Sequence, residues 1–222
     1  MRRLLVILSI TGFIGLSFLR PAHALILLPT ADGTIFDFDG DGNVNYINPD
    51  ESVQALNNIF SGPSHFESRG LIEFNIHSLL SGGNINHAQL GLTTIDTLGS
   101  YPFSLGFYGY RGNGALDNDD YGAGTLLTSL DFNGGPTLDV DVTNFLQNAK
   151  ASNYDYAGFN IRKLGISSDY PPVYVAFGSL EESPASRLSV DQSPSNPTVP
   201  EPASLFLLGS GMFGALVFKR RK

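Results

Sequence analysis

The chain of 222 residues has no cysteine, no tryptophan and two methionines, and only 15% of it is charged. Without cysteine there is no disulfide framework, no thiolate metal centre and no cysteine nucleophile. Scarce charge beside 42% hydrophobic residues excludes a disordered charged tail and a long solvated coiled coil. Basic residues are also few: 13 Lys and Arg stand against 21 Asp and Glu, a formal charge of -8. Without a basic patch to meet a phosphate backbone, nucleic acid is excluded as a partner. What is abundant is Gly (25), Pro (13), Phe (16) and Tyr (9), the mixture of turn and strand formers expected of one ordinary-sized domain.

The two ends differ from the middle. Arg2 and Arg3 precede an apolar run from Leu4 to Leu19, and Arg20-Pro21-Ala22-His23-Ala24 follows. A positive start, an apolar centre and an A-x-A site predict a secretory signal peptide over 1–24, helical during export and cut after Ala24, with Ala22 the other small residue. Its partners are the secretion translocon and signal peptidase; a plain transmembrane helix is the alternative. At the other end Ala203 to Phe218 carries no charge, and Lys219-Arg220-Arg221-Lys222 closes the chain. Such a helix is about 24 Å long, near the ~30 Å of a bilayer core. Its basic end is expected in the cytoplasm.

The segment Val199-Pro200-Glu201-Pro202, the apolar helix and the basic end, in that order over 199–222, resemble a PEP-CTERM sorting signal. The resemblance implies a Gram-negative exported protein, held transiently in the inner membrane by its tail. An exosortase then recognises and cuts the tail, and the product reaches the cell surface or extracellular matrix.

Residues 191–198 are rich in Pro and Ser and read as a linker. The domain between, 25–190, shows short alternating or β-branched segments separated by Gly, Asn, Asp and Pro. Strands are expected at 33–38, 70–76, 85–95, 103–110, 125–130, 137–142, 156–162, 173–177 and 187–190. In Leu71 to Ile76, residues Ile72, Phe74 and Ile76 share one face and Glu73 and Asn75 the other. One short helix is expected over 141–150, capped by Asp141 or Thr143, with Phe145, Leu146 and Ala149 as its apolar stripe. The fold class is all-β: a two-sheet antiparallel β-sandwich, jelly-roll-like, with one short helix.

Ser68-Arg69-Gly70-Leu71-Ile72-Glu73-Phe74-Asn75-Ile76, then Ile85 to Leu92, Asp141-Val142-Thr143, Gly158-Phe159, Phe177 to Glu181 and Arg187-Leu188-Ser189-Val190 resemble the DNRLRE-type carbohydrate-module-like sandwich. Asn75 stands where that pattern has Asp. The resemblance implies the same sandwich fold; Arg69 and Arg187 are read as structural residues pinning strand ends.

Asp37, Asp39, Asp41 and Asn43, with Gly42 between, resemble the start of a calcium loop. Closely spaced oxygen donors suit Ca²⁺, with the Asn43 carbonyl as a further donor. Asn48, at the twelfth position, lacks the second carboxylate oxygen, which Asp50 or Glu51 could supply from outside the spacing. The alternative is a solvated Asp/Gly turn between strands. Asp117 to Asp120 form a second acidic cluster, read chiefly as an exposed loop. His65, His77 and His87 are dispersed, and no nucleophile elbow or phosphate loop is present. Tyr108 and Tyr110, expected to point outward, are candidate glycan contacts.

These features predict a non-enzymatic exported surface or matrix (exopolysaccharide, biofilm) protein. The alternatives are a carbohydrate-binding module for the matrix polysaccharide and a secreted hydrolase. Residues 25–198 hold six basic and 20 acidic side chains, a charge near -14.

Overall fold

The computed structural model describes residues 23–49, 52–59, 65–166 and 172–193. The expected signal helix, Ala22, the Val199–Pro202 motif and the apolar tail lie outside the described residues. No helix among the described residues is long and apolar enough to cross a membrane.

The described chain is mostly strand: β1 (His23–Leu27), β2 (Ala31–Asp37), β3 (Tyr46–Pro49), β4 (Val53–Ile59), β5 (His65–Asn75), β6 (Ile85–Leu98), β7 (Phe103–Arg111), β8 (Thr125–Phe132), β9 (Thr137–Asp141), β10 (Tyr156–Lys163), β11 (Tyr174–Phe177) and β12 (Arg187–Gln192). Three short helices interrupt it: α1 (His77–Leu80), α2 (Asn118–Gly122) and α3 (Thr143–Ala151). Each of the nine expected segments forms a strand. β1, β3, β4, α1 and α2 were not expected. β12 runs two residues past the expected domain boundary, so Asp191 and Gln192 pair with His23 and Ala24 instead of opening a linker. Cleavage after Ala24 would leave the pairs from Leu25 to Leu27 in place.

The two expected sheets are joined into one. The order is β1-β12-β6-β11-β4-β5-β10-β7-β8, with β9 on the other side of β6, and β2 then β3 on the other side of β5. It curls into a half-barrel. The reason lies in two long strands. β6 has 14 residues and pairs with β12 through 85–91 and with β11 through 94–98. β5 has 11 and pairs with β4 through 65–68 and with β10 through 69–75. Strands of twice the usual length change partner as they twist and so carry the chain around the core.

Inside the curl, Ile72 and Phe74 of β5 pack with Phe107 of β7, Phe159 of β10, Leu90 of β6 and Leu188 and Val190 of β12, all buried in one cluster. Each such side chain contributes about 1.5–3 kcal/mol by leaving water. The expected helix forms as α3, with Leu146 and Ala149 buried and the Phe145 ring edge-on to Phe159 at 5.3 Å. Asp141 accepts the Thr143 N–H at 2.9 Å, while the Thr143 hydroxyl oxygen accepts the Ala88 N–H across the sheet. Lys150 does not stay on its own helix end. Its ammonium donates to the carbonyls of Leu79, Gly82 and Gly83 at 2.7, 2.7 and 2.6 Å and ties α3 to the turn after α1. Burial holds its pKa below the ordinary lysine value.

Lys150→Met keeps the stem and removes three charge-assisted hydrogen bonds, so it should destabilise the domain by about 2 kcal/mol. A chemical-denaturation midpoint equal to that of the wild type would show that the three carbonyls are satisfied without the ammonium.

Candidate functional site

The acidic loop is the tip of the β2–β3 hairpin, closed by the Phe36 to Tyr46 pair. Asp37 organises it. One oxygen accepts the Gly40 N–H at 2.6 Å, and the other accepts the Gly42 N–H at 2.9 Å and the Tyr121 hydroxyl at 3.2 Å. Burial opposes ionisation of Asp37, but these donors prevail and its pKa lies below the ordinary carboxylate value. Gly40 has φ +70 and lies against His65, so both its backbone and its space require glycine. Asp41 accepts the backbone N–H and the side-chain amide of Asn43, both at 2.8 Å. Carboxylate oxygens of Asp37, Asp39 and Asp41 lie within 4.8 Å of one another. Asn48 lies apart, in β3 opposite Thr34.

Tyr108 and Tyr110 do not face solvent as expected. Residues 112–124 fold back over the outer face of β5, β10 and β7, and Tyr110 is 7% exposed beneath them. It packs with Ile35, Leu71 and Tyr121 in a second, smaller apolar cluster. Tyr108 is half-buried, with the Arg162 guanidinium 3.9 Å from its ring centroid.

Polar contacts hold this cover down. The fully buried Glu73 accepts the N–H groups of Asn113 and Gly114 at 3.0 and 2.6 Å. The Tyr110 hydroxyl lies near its carboxylate, although neither that hydroxyl nor Glu73 Oε1 makes a well-formed hydrogen bond. Asp117 and Asp120 close a capping box around α2. Asn160 donates to the carbonyls of Asp120 and Tyr121 at 2.8 and 3.1 Å, and Arg162 to that of Ala123 at 2.7 Å. Arg69 donates to Glu67 at 2.6 Å and to the Tyr121 carbonyl, with its guanidinium carbon 3.7 Å from the Tyr121 ring centroid. Burial pushes the carboxyl of Asp120 up to about 7, helped by Glu73, Asp117 and Asp119, and raises that of Glu73. The second acidic cluster is therefore an internal fastening at Asp120 and an exposed carboxylate at Asp119.

The histidines do not converge. His65 meets Asn57 at 2.7 Å and His77 meets Asp155 at 3.0 Å. A groove of about 460 Å³ lies between α3 and the β7–β8 hairpin, lined by Arg111, Thr125, Phe145, Asn148, Ser152 and Tyr154 among others. On the opposite face of the β2–β3 hairpin from Asp37, four rings group together: Phe36, Phe38, Tyr46 and Phe66. The alternation of Phe36 and Phe38 was the sequence signal for this group. It was obscured by the acidic residues between and after them.

Residues 198–222 match the model of the PEP-CTERM protein-sorting motif. That motif implies an exported protein that exosortase sorts to the cell envelope. No curated protein matches the chain.

The carboxyl of Asp120 is raised above its unfolded value, so the stability that its protonated form contributes is complete at low pH and lost as pH rises through about 7, and the raised carboxyl of Glu73 acts in the same direction. The melting temperature should therefore fall from pH 5 to pH 8, and Asp120→Asn, which keeps the capping acceptor, should flatten that fall. The same slope in the variant would contradict this assignment.

Proposed function

We propose that the chain is a non-enzymatic component of the cell surface or extracellular matrix of a Gram-negative bacterium. It would be delivered through the general secretion route and freed from its tail by exosortase. The observation that carries this reading is the sorting motif at 198–222. The charge of residues 25–198, near -14, suits a solvated, cation-rich matrix. Within the curled all-β fold, the finer reading is a jelly-roll-like sandwich of the DNRLRE type. It is supported by Ile72, Phe74 and Ile76, which lie in the core as that pattern requires, and by the closing segment Arg187 to Val190, which pairs beside Ala88 to Gly91. Deleting the exosortase gene should leave the protein in the inner-membrane fraction with its tail attached, whereas the parent strain releases it. Unchanged location in the deletion strain would overturn the reading.

A carbohydrate-binding role is the second reading, favoured by the grouped rings of the β2–β3 hairpin. Calcium in the adjoining loop belongs to the same proposal, supported by the close approach of Asp37, Asp39 and Asp41. Millimolar Ca²⁺ should raise the melting temperature above that in chelator, and Asp39→Ala with Asp41→Ala should abolish the gain. Equal melting points with and without Ca²⁺ would exclude a folded-state ion.

A further inference from the structure

Four of the six basic side chains in residues 25–198 are taken up inside the fold. Arg69 and Arg162 hold the 112–124 cover, Lys150 holds the turn after α1, and Lys163 donates to the carbonyls of Asn57 and Gly165. The other two are Arg111 and Arg187. Arg111 is exposed at the end of β7 and makes no hydrogen bond or ion pair with a described residue. Its guanidinium carbon lies 5.3 Å from the centroid of the Tyr154 ring, and both residues line the groove between α3 and the β7–β8 hairpin.

The rest of the groove favours an anion at that cation. No residue lining it is acidic, in a domain whose charge is near -14. The end of α3, which forms one wall, is closed by its own backbone. Asn153 has φ +53, and the N–H groups of Ser152, Asn153 and Tyr154 donate to the carbonyls of Asn148, Lys150 and Ala149 at 2.9, 3.0 and 2.9 Å. The carbonyl oxygens that make a helix C-terminus negative are therefore already satisfied, and the same cap places Tyr154 beneath Arg111. The side chains of Thr125, Asn148 and Ser152 line the groove with no hydrogen-bond partner among the described residues. Their hydroxyls and amide both donate and accept, as sugar hydroxyls do. The Phe145 ring supplies an apolar wall and closes over Gly109, where a Cβ would come within 2.8 Å of it.

We propose that this groove binds a sugar carrying one carboxylate, with Arg111 as the residue that receives the charge. The inference rests on the carbohydrate-binding reading and adds to it a class of ligand and a site on a different part of the fold from the hairpin rings. The guanidinium takes the two carboxylate oxygens side by side. Thr125, Asn148 and Ser152 exchange hydrogen bonds with the sugar hydroxyls, and Phe145 meets its C–H groups. The groove volume of about 460 Å³ lies within the ~300–1,000 Å³ of small-ligand sites and leaves room for about two sugar rings. The net charge of the domain opposes a long polyanion, so the groove reads a single acidic residue at a chain end.

The test is calorimetric titration of the full chain in detergent at neutral pH. The probes are glucuronosyl-glucose, the matching glucosyl-glucose, which has a hydroxymethyl group in place of the carboxylate, and propionate. Glucuronosyl-glucose should bind at least about tenfold more tightly than either of the others, and Arg111→Gln should weaken it about tenfold. Asn148→Ala should weaken it several-fold. Arg111→Gln should keep the wild-type melting temperature, because the exposed guanidinium has no internal hydrogen bond to lose. Glucuronosyl-glucose binding that is unaffected by Arg111→Gln overturns the site. Equal binding of glucosyl-glucose or of propionate overturns the class of ligand. Migration through a gel containing the organism's own matrix polysaccharide separates the two levels of the proposal. Retarded migration without binding of either disaccharide overturns the groove site alone, whereas neither retardation nor binding overturns the carbohydrate-binding reading with it.

Discussion

β5 is buried on both faces, and the arrangement of the domain follows from that. Its residues from Ser68 to Phe74 are buried almost without a break. Ile72 and Phe74 fill the main core on one side. On the other, Leu71 and the polar Glu67, Arg69 and Glu73 face outward from the curl and cannot be left beneath a dry cover unpaired. The segment 112–124 serves both sides: Tyr121 covers the apolar surface and its hydroxyl reaches Glu67, while backbone N–H groups donate to one oxygen of Glu73 and the Tyr121 carbonyl accepts from Arg69. A strand with helices or loops on both faces is usual in parallel sheets; here an antiparallel strand is covered by a return loop.

Charge is distributed by the same logic. Lys150, Lys163, Arg69 and Arg162 act as hydrogen-bond donors to backbone carbonyls inside the fold. Using the few cations this way leaves the outer surface to carboxylates. Seven of the 13 basic residues lie in 1–24 and 199–222, so residues 25–198 are far more acidic than the whole chain. An anionic exterior of this kind is suited to a medium that supplies cations.

Much of the sheet was legible because alternation in segments such as Leu71 to Ile76 has one meaning whichever partner the strand takes. β4 was not, because Asn57 and Asn58 read as turn formers and only pairing with β5 and β11 makes Val53 to Ile59 a strand. β3 was concealed within the spacing of the acidic loop. The outward direction of Tyr108 and Tyr110 was correctly read from alternation along β7, but not their burial, because a loop returning over an outer face leaves no local periodicity. Nor could the joining of the two sheets be read, since the change of partner along β5 and β6 is a property of twist and length. At the candidate site the acidic residues were visible in the sequence. The ring face opposite them depended on β5 bringing Phe66 beside β2, a contact across nearly thirty residues.

The central claim is that an acidic β domain is delivered free of both address segments. Intact-mass measurement of the protein recovered from the cell surface or matrix tests it directly. The account predicts a product that begins at Leu25 and has lost the apolar run from Ala203 to Phe218 with its basic end. A recovered product with the mass of all 222 residues, or one that retains that tail, would contradict it.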